Sequence, residues 1–359
     1  MCSWLFLATL PLAGATSTPP VSFDDVLRGL RDTDAAIASF SLSFRCEIVT
    51  TALVDASARF SLHEDATIIA DDRRRARYEG SRSSVSYDEA KKPHISETML
   101  VGTYNGKITR SMEGIGEFSR GTITESRSEM PWQMDPWNFL TQYFNEPIYK
   151  TLEKHGSTIT GKAQWQGSEV VVIESQPIAN KDDAGRKGKL RFLVNVQRGF
   201  AVVERSGLLQ FAPDLDWVVY TTIRGYDYVE TSPGLWFPMR IEHESFDPSK
   251  ETVRKRQPPP LAWRWDIRVK KWTVNEPLEA STFELRFPRG VFVNDRVLGR
   301  SYRVTAITDQ TLADEASGLR GTLTRWFSWR RPLVWGAMAL IVFVGLIAVV
   351  RLSRRRVRG

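Results

Sequence analysis

Residues 40–48 read FSLSFRCEI, and this stretch decides the fold. Every second residue is apolar, while the residues between them are serine, arginine or glutamate. Successive side chains of a β-strand point to opposite faces, so a period of two predicts a strand with one buried and one solvated face. The stretch therefore predicts a sheet that is apolar on one side.

The same alternation recurs along the chain. It is clearest at Leu190–Val196 and at Trp263–Val269, and a strand pair surrounds Ser232-Pro233-Gly234. Asn105-Gly106 is typical of a tight hairpin turn. Because short loops join successive strands, we expect antiparallel pairing. The predicted class is mainly β (α+β), with a curved antiparallel half-barrel sheet and helices on its concave face.

Three helices are predicted inside this β-rich region. Ser22 and Asp25 form a capping-box pattern before apolar residues at helical spacing. Asp135-Pro136 suits the start of a second helix, and a third is expected between Pro147 and Gly156. We expect these short helices to cover part of the apolar face of the sheet.

The C-terminal region predicts one membrane span. Leu333–Val350 contains 18 residues without a charge, and a helix of that length is about 27 Å long, close to the hydrocarbon thickness of a bilayer. Arginines flank the run on both sides, with more of them after it, so the positive-inside rule places the tail in the cytoplasm. We assign residues 330–351 to a transmembrane helix and 352–359 to a basic cytoplasmic tail. The alternative is a buried core helix.

The N-terminal region is consistent with export. Residues 4–15 are mostly apolar, and Ala13-Gly14-Ala15 is a cleavage pattern, so residues 1–15 are predicted to be a signal peptide. We expect one domain at 22–298, a polar tether at 299–329, and an extracytoplasmic location for both (the periplasm in a Gram-negative cell).

The basic character of the chain follows from this topology. The chain has 49 Lys+Arg against 42 Asp+Glu, a net charge of +7. The arginines that flank the apolar run equal this excess: Arg330, Arg331, Arg351, Arg354, Arg355, Arg356 and Arg358. The remainder is balanced, so we expect no nucleic-acid partner.

Few residues suggest chemistry. His63, His94, His155 and His243 are scattered without metal-ligand spacing, and no nucleophile elbow occurs. Cys46 lies on the apolar face of the predicted strand, which favours a small core residue over a reactive thiol. We therefore predict no catalytic residues, no metal and no cofactor, and a protein that is not an enzyme.

Several phrases resemble the periplasmic lipoprotein-carrier family of LolA-like and RseB-like half-barrels. Residues 71–78 are similar to a family strand ending in Arg-x-Arg-Tyr, and residues 190–203 to its strand, arginine-glycine turn and returning strand. Residues 234–241 read GLWFPMRI, and residues 281–295 are similar to the closing strand of the family. The resemblance covers about residues 22–298. The soluble carriers of this family lack a C-terminal anchor, so this chain resembles a membrane-anchored form.

The resemblance implies an apolar cavity between sheet and helices that shelters an acyl chain or contacts a partner peptide. The leading hypothesis is a non-enzymatic binding protein for a lipid, an acylated peptide or another apolar ligand, with a lipoprotein or another protein as the alternative partner. The candidate lining residues lie on the apolar faces of the predicted strands: Phe40, Leu42, Phe44, Ile48, Phe60, Leu62, Trp263 and Trp265. Cavity lining and simple core packing both remain open for the two tryptophans, and also for Phe40, Leu42 and Phe44. Two other functions also remain open: an envelope sensor or regulator that binds a protein partner through the same sheet, and an unrecognised hydrolase.

Overall fold

The computed structural model describes residues 21–50, 61–71, 75–87, 92–115, 118–127, 130, 142–143, 146–179 and 185–305. The chain divides into two compact units. Unit 1 comprises Met1–Thr98 and Trp132–Glu279, and unit 2 comprises Met99–Pro131 and Ala280–Gly359. The predicted single domain at 22–298 is thus shared between two units, because the chain leaves unit 1 for unit 2 and returns.

Eighteen strands are described, and most of them are joined by short connections. They are β1 (Ser39–Thr50), β2 (Ser61–Asp71), β3 (Ala76–Tyr87), β4 (Pro93–Tyr104), β5 (Thr109–Gly114), β6 (Arg120–Thr124), β7 (Gln142–Tyr143), β8 (Glu146–Pro147), β9 (Thr158–Trp165), β10 (Ser168–Glu174), β11 (Ile178–Ala179), β12 (Lys187–Asn195), β13 (Ala201–Gln210), β14 (Val218–Ser232), β15 (Leu235–Phe246), β16 (Leu261–Val274), β17 (Phe292–Asp295) and β18 (Arg300–Arg303). The predicted mainly β class is confirmed.

The large sheet of unit 1 is antiparallel. Its strands follow the order β3-β2-β1-β16-β15-β14-β13-β12-β10-β9, and β11 pairs with β12. Strand β1 pairs with β2 on one side and with β16 on the other over almost its whole length. The alternation in residues 40–48 predicted that one face of this strand is buried. This is confirmed, because Leu42, Phe44 and Cys46 are completely buried.

Three short α-helices lie within the described residues of unit 1: α1 (Phe23–Ala35), α2 (Ile148–Lys154) and α3 (Lys250–Arg254). The predicted capping box of α1 is confirmed, because the Ser22 and Asp25 side chains each bind the backbone amide of the other residue. The predicted helix after Pro147 is confirmed as α2. Most of the helix predicted after Asp135 lies outside the described residues. Gln142 and Tyr143, at its far end, form β7 instead.

Unit 2 has a different pairing pattern. Strands β4, β5 and β6 are antiparallel neighbours, but β17 joins β6 in parallel, and β18 then pairs with β17. The sequence predicted only antiparallel pairs. A parallel pair needs a long connection, and here residues from the end of the domain supply β17. Val293, Phe287 and Ile123 are central to the core of the unit.

The structure moves the predicted end of the folded domain. The tether was expected to begin at residue 299, but Arg300–Arg303 form β18 and Val304 is buried. The boundary was wrong because the short polar strand has no apolar alternation to reveal it. Residues 306–359, which include the predicted membrane span, lie outside the described residues. Within the described part of the chain, no helix has the length and apolar character needed to cross a membrane.

The turn between β12 and β13 depends on one glycine. The Asn195 side-chain oxygen accepts a hydrogen bond from the Arg198 amide at 3.1 Å, and Gly199 then takes a left-handed conformation with φ 59°. A Cβ atom on Gly199 would lie 1.9 Å from the Gly234 carbonyl oxygen. The backbone at Gly199 therefore lies close to Gly234, in the turn of the β14–β15 hairpin, and leaves no room for a side chain.

We expect Gly199→Ala to lower the free energy of unfolding by more than about 2 kcal/mol, because it adds a backbone clash to left-handed strain. Gly167→Ala is the matched control. Gly167 is also left-handed, but nothing lies within 4 Å of an added Cβ, so only about 1–2 kcal/mol is expected. Urea unfolding of both variants measures the difference, and equal losses would show that the contact with Gly234 is unimportant.

Candidate functional site

Unit 1 contains a small cavity between helices α1 and α2 and the ends of β13, β14 and β15. Its volume is about 50 Å³. Most of its wall is apolar or aromatic, with Leu30 from α1, Ile148 and Tyr149 from α2, and Phe200, Val202, Trp236 and Phe237 from the sheet region. Apolar walls with a few polar groups are the usual composition of a ligand site.

Helix α1 lies close to the sheet because of a glycine. A Cβ on Gly29 would come within 2.0 Å of the Phe200 ring, so a larger residue would push the helix away from the cavity wall. The Thr33 hydroxyl lies 2.8 Å from the Gly29 carbonyl oxygen and 3.0 Å from that of Gly199. The end of α1 is therefore held on the β12–β13 turn, next to the cavity.

An arginine lies between two aromatic rings of the cavity wall. The Arg198 guanidinium is 5.6 Å from the ring centres of both Tyr228 and Trp236. The Tyr228 hydroxyl donates a hydrogen bond to the Val202 carbonyl at 2.8 Å, and burial raises the pKa of this tyrosine. Among the described residues, no carboxylate lies within ion-pair distance of Arg198. The rim thus carries a positive charge held by ring contacts.

Helices α1 and α2, which cover the cavity, contact each other through exposed groups. Arg31 forms an ion pair with Glu153 at 3.0 Å, and both side chains are about half exposed. The Arg31 guanidinium also lies 5.3 Å from the centre of the Tyr149 ring. An exposed ion pair contributes at most about 1 kcal/mol, so these contacts can be broken at low cost.

Asp34 is a polar residue of the cavity wall, and its position is unfavourable for a negative charge. It lies in the last turn of α1, where the helix dipole favours cations over carboxylates. Burial raises the pKa of Asp34, and the charge of Lys150 opposes this rise only in part. A carboxylate that costs stability beside a cavity is a candidate functional group.

The predicted lining residues do not line this cavity. Five of the eight are buried on the apolar face of the sheet: Phe40, Leu42, Phe44, Ile48 and Leu62. Trp263 and Trp265 are partly exposed, and Phe60 lies outside the described residues. The structure therefore brings the candidates to one face, but it places the cavity at another part of unit 1.

A chain of aromatic contacts connects the cavity with that buried face. Phe237, in the cavity wall, stacks on Trp272 with ring centres 4.1 Å apart, and Trp272 lies 5.4 Å from Phe40. Leu42 pairs with Trp272 across β1 and β16. The predicted candidates therefore continue the apolar surface that begins in the cavity.

Trp263 and Trp265 form an aromatic cluster with His243. The two indole rings are 4.8 Å apart, and the imidazole meets their edges at 4.5 and 5.3 Å. The His243 Nε2 atom lies 3.0 Å from the Thr221 hydroxyl. Burial, with a smaller contribution from the charge of Arg205, lowers the pKa of His243 to about 3. The cluster is therefore uncharged at neutral pH.

An ion pair is buried within the apolar face. Glu64 is fully buried and bonds both Arg82, at 2.8 Å, and the Tyr78 hydroxyl. Burial raises the pKa of Tyr78, and the negative charge of Glu64 adds to the effect. Cys46 faces the same region, and burial likewise raises the pKa of its thiol, which fits the predicted core role. A buried pair of this kind fixes local geometry, because removing one partner leaves an uncompensated charge.

Sequence reasoning overlooked the cavity residues although their signals were visible. Trp236 and Phe237 lie in the phrase GLWFPMRI, and Arg198 lies in the arginine-glycine turn. Both were interpreted only as marks of the fold. Among the described residues, no three His, Cys, Asp or Glu side chains are grouped to hold a metal ion.

Solved structures resemble this chain at low identity. An outer membrane lipoprotein-sorting protein domain from Vibrio parahaemolyticus has 10% identity and a TM-score of 0.38, covering 72% of this chain and 95% of its own. A DUF1329 family protein from Desulfovibrio piger has 11% identity and a TM-score of 0.36, with 73% and 96% covered. LprF from Mycobacterium bovis has 12% identity and a TM-score of 0.29, with 75% and 99% covered.

One of these solved structures is described as a lipoprotein-sorting domain, the class of protein that the sequence phrases resemble. No family model and no curated protein matches the chain. The identities and TM-scores are low, so the function is argued below from the residues of this chain.

We expect Asp34→Asn to stabilise unit 1 at neutral pH. The pKa of Asp34 is raised by folding, so the folded state binds its proton more tightly, and the contribution of the carboxyl to stability falls as the pH rises above the ordinary aspartate value. The gain from the variant should therefore shrink on acidification towards pH 4. Asp32→Asn, at an exposed position in the same turn, is the control. Thermal unfolding across this pH range measures both, and an equal gain from both variants would assign the effect to the helix dipole alone.

Proposed function

We propose that this chain is a non-enzymatic binding protein that holds the apolar part of a lipid or an acylated peptide in unit 1. We further propose that it does so outside the cytoplasm, tethered to its own membrane by Leu333–Val350. The observation that carries the binding proposal is the aromatic cavity under α1 and α2, with its cationic rim. The proposal of a membrane tether is based on the charge-free run of residues and on the arginines that flank it.

The cavity is too small for an acyl chain unless its cover moves. A volume of about 50 Å³ accommodates only a few water-sized groups, whereas ligand pockets commonly measure about 300–1,000 Å³. The cover consists of two short helices joined by the exposed pair of Arg31 and Glu153. Outward movement of α1 or α2 would enlarge the space. It breaks the exposed ion pair at a cost of at most about 1 kcal/mol, and it exposes buried apolar side chains such as Leu30 and Ile148, a loss that contacts with the acyl chain must offset.

The aromatic residues that lead from the cavity into the apolar face of the sheet are also suitable contacts for an acyl chain. A chain that enters beside Phe237 would next meet Trp272 and then Phe40, the first of the predicted lining residues. Leu42 and Phe44 follow Phe40 on the same face of β1. In this proposal these residues are core in the empty protein and become ligand contacts when the cover opens.

The rim favours an anionic head group on the ligand. Arg198 has no carboxylate partner among the described residues, and its guanidinium is already oriented by two rings. An apolar chain in the cavity would place a carboxylate or phosphate near this charge. The description of the Vibrio domain as lipoprotein-sorting agrees with such a ligand. An envelope sensor that binds a protein through the same sheet would not need an open cavity.

We expect the chain to bind a fluorescent fatty-acid analogue with a negative change in heat capacity, because apolar surface is buried. Ala201 lines the cavity, so Ala201→Leu should weaken binding by about tenfold through overpacking. Ala179→Leu, at an exposed position on β11, should leave it unchanged. Fluorescence titration and calorimetry measure both. No uptake by the parent chain, or equal loss in both variants, would contradict the proposed site.

Arg198→Gln tests the head-group preference. It should weaken binding of the free fatty acid but leave binding of its methyl ester almost unchanged, since the ester has no charge for Arg198 to neutralise. The affinity ratio of acid to ester, measured by titration, isolates the charge from the apolar contacts. If this affinity ratio were the same before and after the substitution, Arg198 would not contact the head group.

The tether has a separate test. A reporter that is active only in the cytoplasm should work when fused after Gly359 and fail when inserted at Asp183, because the arginine-rich tail is expected to remain inside. Activity assays on intact cells make the comparison, and the reverse pattern would overturn the proposed orientation.

A further inference from the structure

Unit 2 exposes large apolar side chains on its surface. Phe118 is 88% exposed, Ile115 is 50% exposed and Phe292 is 46% exposed. Phe118 and Phe292 line one open groove on this unit. A single exposed apolar residue needs no explanation, but a group of them usually marks an interaction surface.

Two arginines belong to the same surface. Arg120 of β6 is the register partner of Phe292 of β17, and Phe292 is the register partner of Arg303 of β18. Register partners on adjacent strands point to the same face, so these three side chains form a row. Ile115 lies in the turn next to Phe118, because the Phe118 amide donates a hydrogen bond to the Ile115 carbonyl at 3.2 Å. We call Ile115, Phe118, Arg120, Phe292 and Arg303 the aromatic–arginine patch.

The patch has excess positive charge. On β5, the register partner of Arg120 is Glu113, so Glu113 belongs to the same row. Across β5, β6, β17 and β18, Glu113 is the one acidic residue of this row. Arg120 has no carboxylate within ion-pair distance among the described residues, and Arg303 donates only to the Gly290 carbonyl, at 2.9 Å. The closing segment adds further exposed arginines at 286, 289, 296 and 300. An anionic partner would complement this surface.

The patch also lies close to the C-terminal end of the described residues. Arg303 is the last residue of β18, and the predicted membrane span begins at Leu333. A flexible tether of that length spans about 30 Å on average. A membrane surface would therefore always be within reach of the patch, which gives it a high effective concentration.

We propose that the aromatic–arginine patch docks unit 2 on an anionic lipid surface. Phe118, Phe292 and Ile115 enter the interface between head groups and acyl chains, and Arg120 and Arg303 contact lipid phosphates. Aromatic and aliphatic side chains beside arginine form the usual composition of such surfaces. Docking orients the tethered chain at its membrane. It is independent of what unit 1 binds.

The experiment uses the full chain in vesicles and a fluorophore that reports local contact with lipid. The chain has two cysteines, Cys2 and Cys46. Cys46 is buried and should not react in the folded protein, and Cys2→Ser removes the other thiol, so the environment-sensitive dye NBD can be attached at Ile115→Cys. Ile178→Cys, an exposed isoleucine of unit 1, is the matched control site. Quenching by nitroxide-labelled lipid is compared between vesicles of phosphatidylglycerol with phosphatidylcholine and vesicles of phosphatidylcholine alone.

We expect stronger quenching at position 115 than at position 178 in the anionic vesicles, and a decrease at high salt. Arg120→Gln should lower the ratio of docked to free chain by about fivefold, the effect of one arginine at an anionic surface. Phe118→Ser should also reduce the quenching of NBD at position 115, because position 115 then loses contact with lipid. Since Phe118 is almost fully exposed, this variant leaves the core intact. Thermal unfolding verifies the fold of both variants.

Equal quenching at both positions would overturn the proposal. So would quenching at position 115 that persists in Arg120→Gln and Phe118→Ser. Protection of position 115 that appears only when a protein fraction is added, and not with lipid, would assign the patch to a protein partner and would likewise overturn it. The NBD signal reports local lipid contact, so the result is decisive whether or not the C-terminal segment spans the bilayer.

Discussion

The antiparallel pairing of β1 with β16 is the contact on which unit 1 depends. It joins Ser39–Thr50 to Leu261–Val274, which are far apart in sequence, and so connects the strands that begin the unit with those that end it. The pair places Cys46 opposite Ile267 and Leu42 opposite Trp272, all buried. Closing so long a loop has an entropic cost, which the apolar surface buried along the whole strand must offset.

Charged side chains on the solvated face support the register of this pairing. Asp65 of β2 binds Arg45 of β1 at 2.9 Å and also binds Lys270 of β16. The Arg45 hydrogen bond, aided by Lys270, lowers the pKa of Asp65. A carboxyl with a lowered pKa stabilises the fold above its ordinary value and loses that contribution as the pH falls through the lowered value. Each exposed pair is weak, but a slip of one residue would move the apolar set to the wrong face.

The same long-range closure creates the cavity. Helix α1 precedes β1, so fixing β1 beside β16 brings Leu30 towards Trp236 and Phe237 of β15, which is the other neighbour of β16. Trp272 then links Phe237 with Phe40, because it stacks on Phe237 and meets Phe40 in a tilted ring contact. Helices α1 and α2 close one end of this face with buried side chains, including Leu30 and Ile148, and a small cavity remains beside them. A ligand larger than this cavity must therefore displace part of its cover.

The sequence by itself determined where most of the long strands lie, which of their faces are buried and where several turns occur. These features are local: the period of two at residues 40–48, the capping box at Ser22 and the turn before β13 each involve residues within a few positions. Only the tertiary structure decided which strands are neighbours, including the parallel pair of β6 and β17, and which apolar residues enclose space. Periodicity shows that Leu42 must be buried but not what covers it. A cavity is formed by residues from distant segments, so its location follows from pairing and packing together.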